Sequence, residues 1–265
     1  MEAKEYYTLI TGASAGIGKA LAFECASRGM NVLLVARNKA KLHDITSYLR
    51  QQFPINAHYY QADLTLENAP DQMYKWCVEN SYRVNFLINN AGMGNTNNFL
   101  DNDVEYYKNM ILLNNMALVK TTWLFVANMK QYPKAYILNL SSMAGLFPIP
   151  FKSVYSASKA FVNSFSLALR QEMKHTPISI SVACPGGVDT NESVKERIKD
   201  YGLLKRSFIL SAETVAKSIV SGTLRGKQII IPGYGNNLAN YVLKCLPSKA
   251  RFALLIKSLK QDIGK

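Results

Sequence analysis

The chain has 265 residues, of which 48% are hydrophobic and 18% charged, and its formal net charge at pH 7 is +13. A globular chain of this length can bury a core without disulfides or a structural metal. The basic residues are scattered and form no Arg-rich run interleaved with aromatic residues, so we do not expect nucleic-acid binding to be the main function.

The usage of cysteine and histidine argues against a metal site and against a disulfide framework. Cys25, Cys77, Cys184 and Cys245 are far apart and form no C-x-x-C pair, and the three histidines are not clustered. Unpaired thiols are typical of a reducing compartment, so we expect a cytoplasmic protein. The sequence MEAKEYYTLI is charged, and no run of about 18 apolar residues occurs, so we expect neither a signal peptide nor a transmembrane helix.

Short apolar runs alternate with longer amphipathic segments along the chain. This alternation is typical of βαβ units, and continuous apolar strands are typical of a sheet buried on both faces. We therefore predict one α/β domain, residues 1–265, with a doubly wound parallel sheet of about seven strands and helices on both faces. The predicted strands are 6–11 (YYTLIT), 31–36 (NVLLVA), 57–61 (AHYYQ), 85–89 (NFLIN), 135–140 (AYILNL), 178–184 (ISISVAC) and 228–232 (QIIIP).

Two regions differ from this pattern. Residues 191–209 are polar, basic and weakly helical, and we interpret them as a lid over a substrate. Residues 236–265 form a basic, amphipathic C-terminal extension that three interpretations fit: a core helix, a subunit contact, or a helix with weak contact to a membrane surface. Its apolar face consists of Leu238, Tyr241, Val242, Leu246, Phe252, Leu255, Ile256 and Leu259.

A glycine-rich turn follows the first predicted strand. In TGASAGIG, Gly12, Gly16 and Gly18 allow a tight turn and a close approach of backbone to a ligand. The helix that follows offers free N–H groups and the positive end of its dipole, so the turn predicts a pyrophosphate site. The alternative is a glycine turn needed only for packing of the strand against the helix.

The end of the second predicted strand indicates which dinucleotide binds. An acidic residue at this position would bind the adenosine ribose of NAD. The sequence instead has Ala36 and then Arg37, which can pair with a 2′-phosphate, and Ser14 can donate a further hydrogen bond. We therefore predict a preference for NADP(H). The alternative is that Arg37 is a solvated surface residue.

The stretch YSASK places a phenol and an ammonium one helical turn apart. Tyr155 and Lys159 lie on one face of a helix at this spacing. A nearby positive charge favours the phenolate and lowers the pKa of a tyrosine, which suits proton exchange near neutral pH. Such a pair is common on helices, so the prediction depends on the motifs that accompany it.

Six motifs in one order resemble the short-chain dehydrogenase/reductase family over residues 6–235. They are TGASAGIG, Asp63 in ADL, NNAG (89–92), SSMAG (141–145), YSASK (155–159) and CPGGVDT (184–190). The resemblance implies a Rossmann-type sheet of about seven parallel strands. It also implies a dehydrogenase or reductase that exchanges a hydride between a nicotinamide cofactor and a carbonyl or alcohol substrate.

The resemblance also implies four catalytic residues. Tyr155 is the proton donor and acceptor, and Lys159 holds the nicotinamide ribose. Ser142 orients the carbonyl of the substrate. The asparagine of the family lies in MILLNNMALV, where alignment favours Asn114 over Asn115.

Further residues are implied to contact the cofactor. One group surrounds the phosphates, one meets the adenosine, and one covers the nicotinamide. These residues are Gly12, Ser14, Gly16, Ile17 and Gly18; then Asp63, Asn90, Ala91 and Gly92; then Pro185, Gly186, Val188 and Thr190.

The leading hypothesis is an NADP(H)-dependent carbonyl reductase or alcohol dehydrogenase for an apolar or ketoacyl-type substrate. A sensor that binds the nucleotide without turnover, and an isomerase or dehydratase of the same family, remain alternatives. The family also implies a homodimer or homotetramer, formed through helices at about 104–130 and 153–174. The predicted substrate pocket lies beside Ser142 and Tyr155 and is lined by Met93, Gly94, Phe147, Pro150 and Phe151.

Overall fold

A seven-stranded parallel sheet forms the centre of the computed structural model, which describes residues 6–189 and 209–259. The strands pair in the order β3-β2-β1-β4-β5-β6-β9. The predicted doubly wound sheet is therefore confirmed. The strands are β1 (Tyr6–Thr11), β2 (Asn31–Ala36), β3 (Ala57–Gln61), β4 (Arg83–Asn89), β5 (Ala135–Leu140), β6 (Ile178–Ala183), β7 (Val188–Asp189), β8 (Leu210–Ser211) and β9 (Ile229–Ile230), of which β7 and β8 form a separate parallel pair.

Helices connect the strands. Several begin with a side-chain cap: Asn38 accepts a hydrogen bond from the Lys41 N–H, and Asp103 accepts one from the Tyr106 N–H. The helices are α1 (Gly16–Ser27), α2 (Lys39–Gln52), α3 (Ala69–Glu79), α4 (Val104–Ile111), α5 (Ala117–Met129), α6 (Ser153–Glu172), α7 (Ala212–Leu224), α8 (Tyr234–Cys245) and α9 (Ser248–Leu259), and a π-helical segment, Leu112–Met116, joins α4 to α5.

Core side chains lie on both faces of the sheet because neighbouring strand residues point to opposite sides. Leu34, Ile88 and Leu138 belong to one buried cluster, which includes residues of α1, α2 and α7. The adjacent residues Leu33 and Leu87 belong to a second cluster, which includes residues of α3 and α5. All residues of β2 and β5 are buried, as their continuous apolar sequences predict.

The continuous helical run from Val104 to Met129 is long and apolar enough to cross a membrane by length and composition. This differs from the sequence-based expectation, which is that no transmembrane helix is present. Phe125 and Met129 are nevertheless buried in the second core cluster, and Leu118 is buried in a smaller one. These contacts are those of a core helix packed on the sheet.

The order of the strands reverses between β1 and β4. From β1 the chain proceeds outward to β2 and β3, and from β4 it proceeds in the other direction to β5 and β6. The carboxyl ends of β1 and β4 therefore border a crevice, which is where open α/β sheets bind their ligands.

Two strands differ in length from the prediction. The predicted strand 85–89 is longer in the structure, since β4 begins at Arg83, and the predicted strand 228–232 is reduced to Ile229–Ile230.

Candidate active site

A cleft of about 660 Å³ opens at the carboxyl ends of the central strands. It is large enough for a small-molecule ligand or cofactor. Of the predicted site residues, Thr190 lies outside the described residues, and so does the predicted lid 191–209 apart from Ile209. The predicted residues that line the cleft are Gly12, Ser14, Gly16, Ile17, Gly18, Arg37, Asp63, Asn90, Ala91, Gly92, Ser142, Tyr155, Lys159, Pro185, Gly186 and Val188.

The glycine turn after β1 forms one end of the cleft. Gly12 has a φ of 68°, in the region that favours glycine, and a Cβ on Gly18 would lie 2.2 Å from the Gly12 carbonyl oxygen. Asn90 holds the turn, because its Nδ2 donates to the carbonyls of Thr11 and Gly12 at 2.8 and 3.2 Å. The N-cap residue Ala15 provides no side-chain hydrogen bond to the first turn of α1. The turn and the helix terminus therefore fit the pyrophosphate of a dinucleotide.

Arg37 lies directly after β2 at the same end of the cleft. Its side chain is 75% exposed, and Nη1 is 3.9 Å from Asp63 Oδ2. Thr65 fixes the orientation of Asp63, since its N–H and hydroxyl both donate to Asp63 Oδ1, at 3.0 and 2.8 Å. The guanidinium is thus held at the rim by a weak ion pair and is accessible to an anionic ligand.

Ser142, Tyr155 and Lys159 meet at the other end of the cleft. Ser142 follows β5, and its Oγ accepts a hydrogen bond from the Ala144 N–H at 3.1 Å. Tyr155 and Lys159 project from α6, and the Lys159 Nζ lies 5.9 Å from the centroid of the Tyr155 ring. Nζ donates to the Leu140 carbonyl oxygen at 2.9 Å. The end of β5 therefore positions both Ser142 and the ammonium of Lys159.

The pKa of Tyr155 differs from the sequence-based expectation. Burial raises the pKa of this phenol, and the hydrogen bond with Ser142 lowers it only in part. Lys159 is not among the groups that shift this pKa, although its Nζ lies 5.9 Å from the centroid of the ring. Burial also lowers the pKa of Lys159 from 10.5 to about 8. The residues of the chain therefore favour the protonated phenol.

Asn114 lies behind the cleft wall, in the π-helical segment. Its Oδ1 accepts from the Met93 N–H at 2.9 Å, and its Nδ2 donates to the Met93 carbonyl and to Ser158 Oγ. A Cβ on Gly92 would lie 3.0 Å from Asn114 Oδ1 and 3.1 Å from Lys159 Nζ, so Gly92 lets these two side chains approach one another. Asn115 instead donates to the Ser158 carbonyl. This arrangement favours Asn114 over Asn115.

Several residues of the cleft wall were not predicted from the sequence, among them Asn38, Leu113 and Lys152, of which Lys152 bears a charge. Its Nζ lies 5.7 Å from the centroid of the Tyr155 ring and donates to the Asn95 carbonyl oxygen at 3.5 Å. Lys152 is the N-cap residue of α6 and precedes Tyr155 by three residues, so its closeness to the YSASK motif was a signal that could have identified it.

Two of the predicted substrate-pocket residues, Met93 and Gly94, line the cleft. A Cβ on Gly94 would lie 2.2 Å from Tyr155 Cδ2, so Gly94 allows the ring to occupy its position. Phe147 is instead buried, with the Arg251 guanidinium 5.3 Å from its ring centroid. Phe151 has a φ of 64° in a turn, where its carbonyl accepts a hydrogen bond from the Asn97 N–H.

Comparisons with known proteins agree with this geometry. The family model for short chain dehydrogenases matches residues 7–200. The chain is 39% identical to human 17-beta-hydroxysteroid dehydrogenase type 3 over 189 residues, which are 69% of this chain and 59% of that protein. It is 31% identical to the very-long-chain 3-oxoacyl-CoA reductase of Mus musculus over 261 residues, which are 90% of this chain and 82% of that protein.

A solved structure extends the agreement to the whole fold. The short-chain dehydrogenase from Sphingobium yanoikuyae in complex with NADPH is 28% identical, with a TM-score of 0.79 over 94% of this chain and 95% of that chain. The glycine cradle, the helix terminus and the cleft fit a nicotinamide dinucleotide. Since its family match covers well over half of its length, the chain belongs to the short-chain dehydrogenase/reductase family and is an oxidoreductase.

Proposed function

We propose that this chain is an NADP(H)-dependent reductase of 3-oxoacyl-type ketones, with Tyr155 as the proton donor. The observation that carries the proposal is one continuous cleft. The hydrogen-bonded pair of Ser142 and Tyr155 lies at one end, and the exposed Arg37 lies at the other. No carboxylate follows β2 to repel a 2′-phosphate, which supports NADP(H) over NAD(H).

The nicotinamide cofactor supplies the hydride that reduces the carbonyl. Ser142 holds the carbonyl oxygen of the substrate, and Tyr155 donates its phenolic proton to the same oxygen as negative charge develops. The raised pKa of Tyr155 keeps the phenol protonated, which is the state that reduction requires. Lys159, with a pKa of about 8, is charged near neutral pH and binds the ribose hydroxyls.

Lys152 supports a substrate with a second oxygen close to the ketone. Its ammonium is 5.7 Å from the centre of the Tyr155 ring, and both residues line the cleft. The thioester carbonyl of a 3-oxoacyl chain is two carbons from the ketone and can accept a hydrogen bond from this group. An isolated ketone has no such acceptor. One relative is named a very-long-chain 3-oxoacyl-CoA reductase, which agrees with this preference.

The test is the oxidation of NADPH, and separately of NADH, with a 3-oxoacyl thioester and with a plain ketone of the same chain length. Tyr155→Phe should lower kcat at least about 100-fold while the NADPH Kd is unchanged, because general acid catalysis contributes this much. Turnover that persists in this variant would contradict the role of Tyr155. NADPH binding without turnover of any substrate would instead indicate a sensor.

Lys152→Met tests the substrate class. It should lower kcat/KM about tenfold for the thioester, since a hydrogen bond to a charged donor is lost, and should leave the plain ketone unaffected. Lys134→Met is the matched control, because the Lys134 Nζ also lies over a tyrosine ring, 5.4 Å from that of Tyr136, but does not line the cleft. An equal loss for both substrates would contradict the assignment of Lys152.

The predicted homodimer or homotetramer stays a prediction. Val104, Trp123 and Phe161, on α4, α5 and α6, are exposed apolar side chains that are compatible with a subunit contact. Light scattering of the purified protein would measure its mass in solution.

A further inference from the structure

Helix α8 directs polar side chains towards the protein and apolar side chains towards the solvent, which is the reverse of the usual orientation. Asn236 is buried, and Asn240 Oδ1 is buried without a hydrogen-bond partner among the described residues. Tyr234, Leu238 and Tyr241 are exposed by 97%, 65% and 70%. Burial of apolar surface is the main driving force of folding, so a helix with two of its three asparagines directed inward and an apolar stripe outside is costly in water. The outward stripe is therefore expected to meet an apolar medium.

Helix α9 also exposes an apolar side chain, and both helices carry exposed positive charge. Leu254 is 52% exposed, and α9 contains no fully buried residue. Lys244, Lys249 and Lys257 are exposed on the two helices. The sequence contains no aspartate or glutamate from position 214 to position 259. The surface that covers the stripe should therefore carry negative charge, which attracts these lysines.

We propose that α8 and α9 bind the surface of an anionic phospholipid bilayer, with the stripe of Tyr234, Leu238, Tyr241 and Val242 inserted at the headgroup level. Tyrosine is enriched at this depth, and lysines next to an inserted apolar face are attracted by anionic lipid. A second copy of the chain is a poorer partner. A symmetric contact would place the cations of one copy against those of the other, with no carboxylates from this segment between them.

Helix α8 also contacts the rim of the cleft. A Cβ on Gly186, which lines the cleft, would lie 2.7 Å from Asn236 Oδ1. A bilayer bound at this face would lie beside the substrate end of the cleft, so an apolar ketone could pass between lipid and cleft. This last consequence depends on the proposed function, whereas membrane binding itself does not.

The test is flotation of the full-length protein with vesicles of phosphatidylcholine alone or mixed with phosphatidylserine. The wild-type protein should bind the mixed vesicles more strongly, and the double variant Leu238→Glu, Tyr241→Glu should lower that affinity at least about tenfold. Leu66→Glu is the matched control, because Leu66 is 64% exposed, as Leu238 is, but lies before α3. Lys244→Gln with Lys249→Gln should weaken binding to the mixed vesicles, as added salt should.

Equal binding of the wild-type protein and the Leu238/Tyr241 variant overturns the proposal. So does an absence of binding to mixed vesicles. A wild-type dimer that dissociates in the Leu238/Tyr241 variant, with no vesicle binding by either protein, assigns the stripe to a second copy instead. Since no turnover is measured, failure of the proposed catalytic function would leave these outcomes unchanged. Circular dichroism and NADPH affinity verify that each variant is folded.

Discussion

Replacement of Lys159 by methionine is expected to stabilise the protein near neutral pH. Lys159 is 5% exposed, and burial lowers its pKa from 10.5 to about 8. At about 1.4 kcal/mol per pKa unit, this difference costs the folded state about 3 kcal/mol at neutral pH, where the lysine is charged in both states. Lys159 also donates a hydrogen bond to the Leu140 carbonyl. Because the methionine variant loses this bond, its stabilisation should be smaller by about 1 kcal/mol.

The sign of the pH dependence follows from proton binding. Between pH 8 and pH 10.5 the unfolded chain retains the proton of Lys159 while the folded protein loses it. Stability of the wild-type protein therefore rises through this window relative to the methionine variant. The advantage of the variant should fall by about 2 kcal/mol between about pH 7 and about pH 9.5. Burial raises the pKa of Cys25, Cys77 and Cys184 to about 12, so these thiols stay protonated in the folded state over this range in both proteins and contribute little to the difference.

The assay is urea unfolding of both proteins at several pH values in this range. Lys130→Met, which removes a lysine that is exposed at the end of α5, controls for the loss of one positive charge. A stability difference for Lys159→Met that does not change with pH would refute the argument that burial disfavours the charged lysine. If the stability of Lys130→Met relative to the wild-type protein falls by the same amount over this pH range, the effect comes from net charge and not from burial of Lys159.

Three further predictions concern the cleft. Arg37→Ala should weaken NADPH binding about 10- to 100-fold and leave NADH binding nearly unchanged, as measured by fluorescence titration; an equal loss for both would contradict the contact with the 2′-phosphate. Gly94→Ala should lower kcat but retain NADPH affinity, because the new Cβ would lie 2.2 Å from Tyr155 Cδ2 and displace the ring. Ser142→Ala removes a hydrogen bond that lowers the pKa of Tyr155, so the pH profile of alcohol oxidation should move to higher pH; an unchanged profile would exclude this bond from the mechanism.

The parts of the fold that were predicted correctly are those with a strong local signal. Strands β2 and β5 are apolar except for Asn31 and Asn139, and their bounds in the structure are those expected from the sequence. Most of the predicted cleft residues were also identifiable because they lie at the ends of strands, whereas Tyr155 and Lys159 lie in a motif on α6. The π-helical segment had no such signal, since it depends on the bonds of Asn114 to the distant residues Met93 and Ser158.

The orientation of a side chain within the cleft was harder to predict than its position. The spacing of Tyr155 and Lys159 placed both on one face of α6, as the structure has them. The spacing did not reveal the competing acceptor for the ammonium, the Leu140 carbonyl at the end of β5. The raised pKa of Tyr155 results from burial of the phenol, which arises only in the folded protein and could not be predicted from the spacing.

The direction in which helix α8 turns its apolar face was also not predictable from the sequence alone. Hydrophobic periodicity correctly grouped Leu238, Tyr241 and Val242 on one face, but one interpretation directed that face to the core. The direction is set by Asn236, which donates to the Pro232 carbonyl at 2.9 Å and packs against Gly186 where only a glycine leaves room. A pattern in sequence determines which residues share a face, and a tertiary contact decides whether that face is buried. The exposed face of the inverted helix is therefore the surface to which we assign the proposed membrane contact.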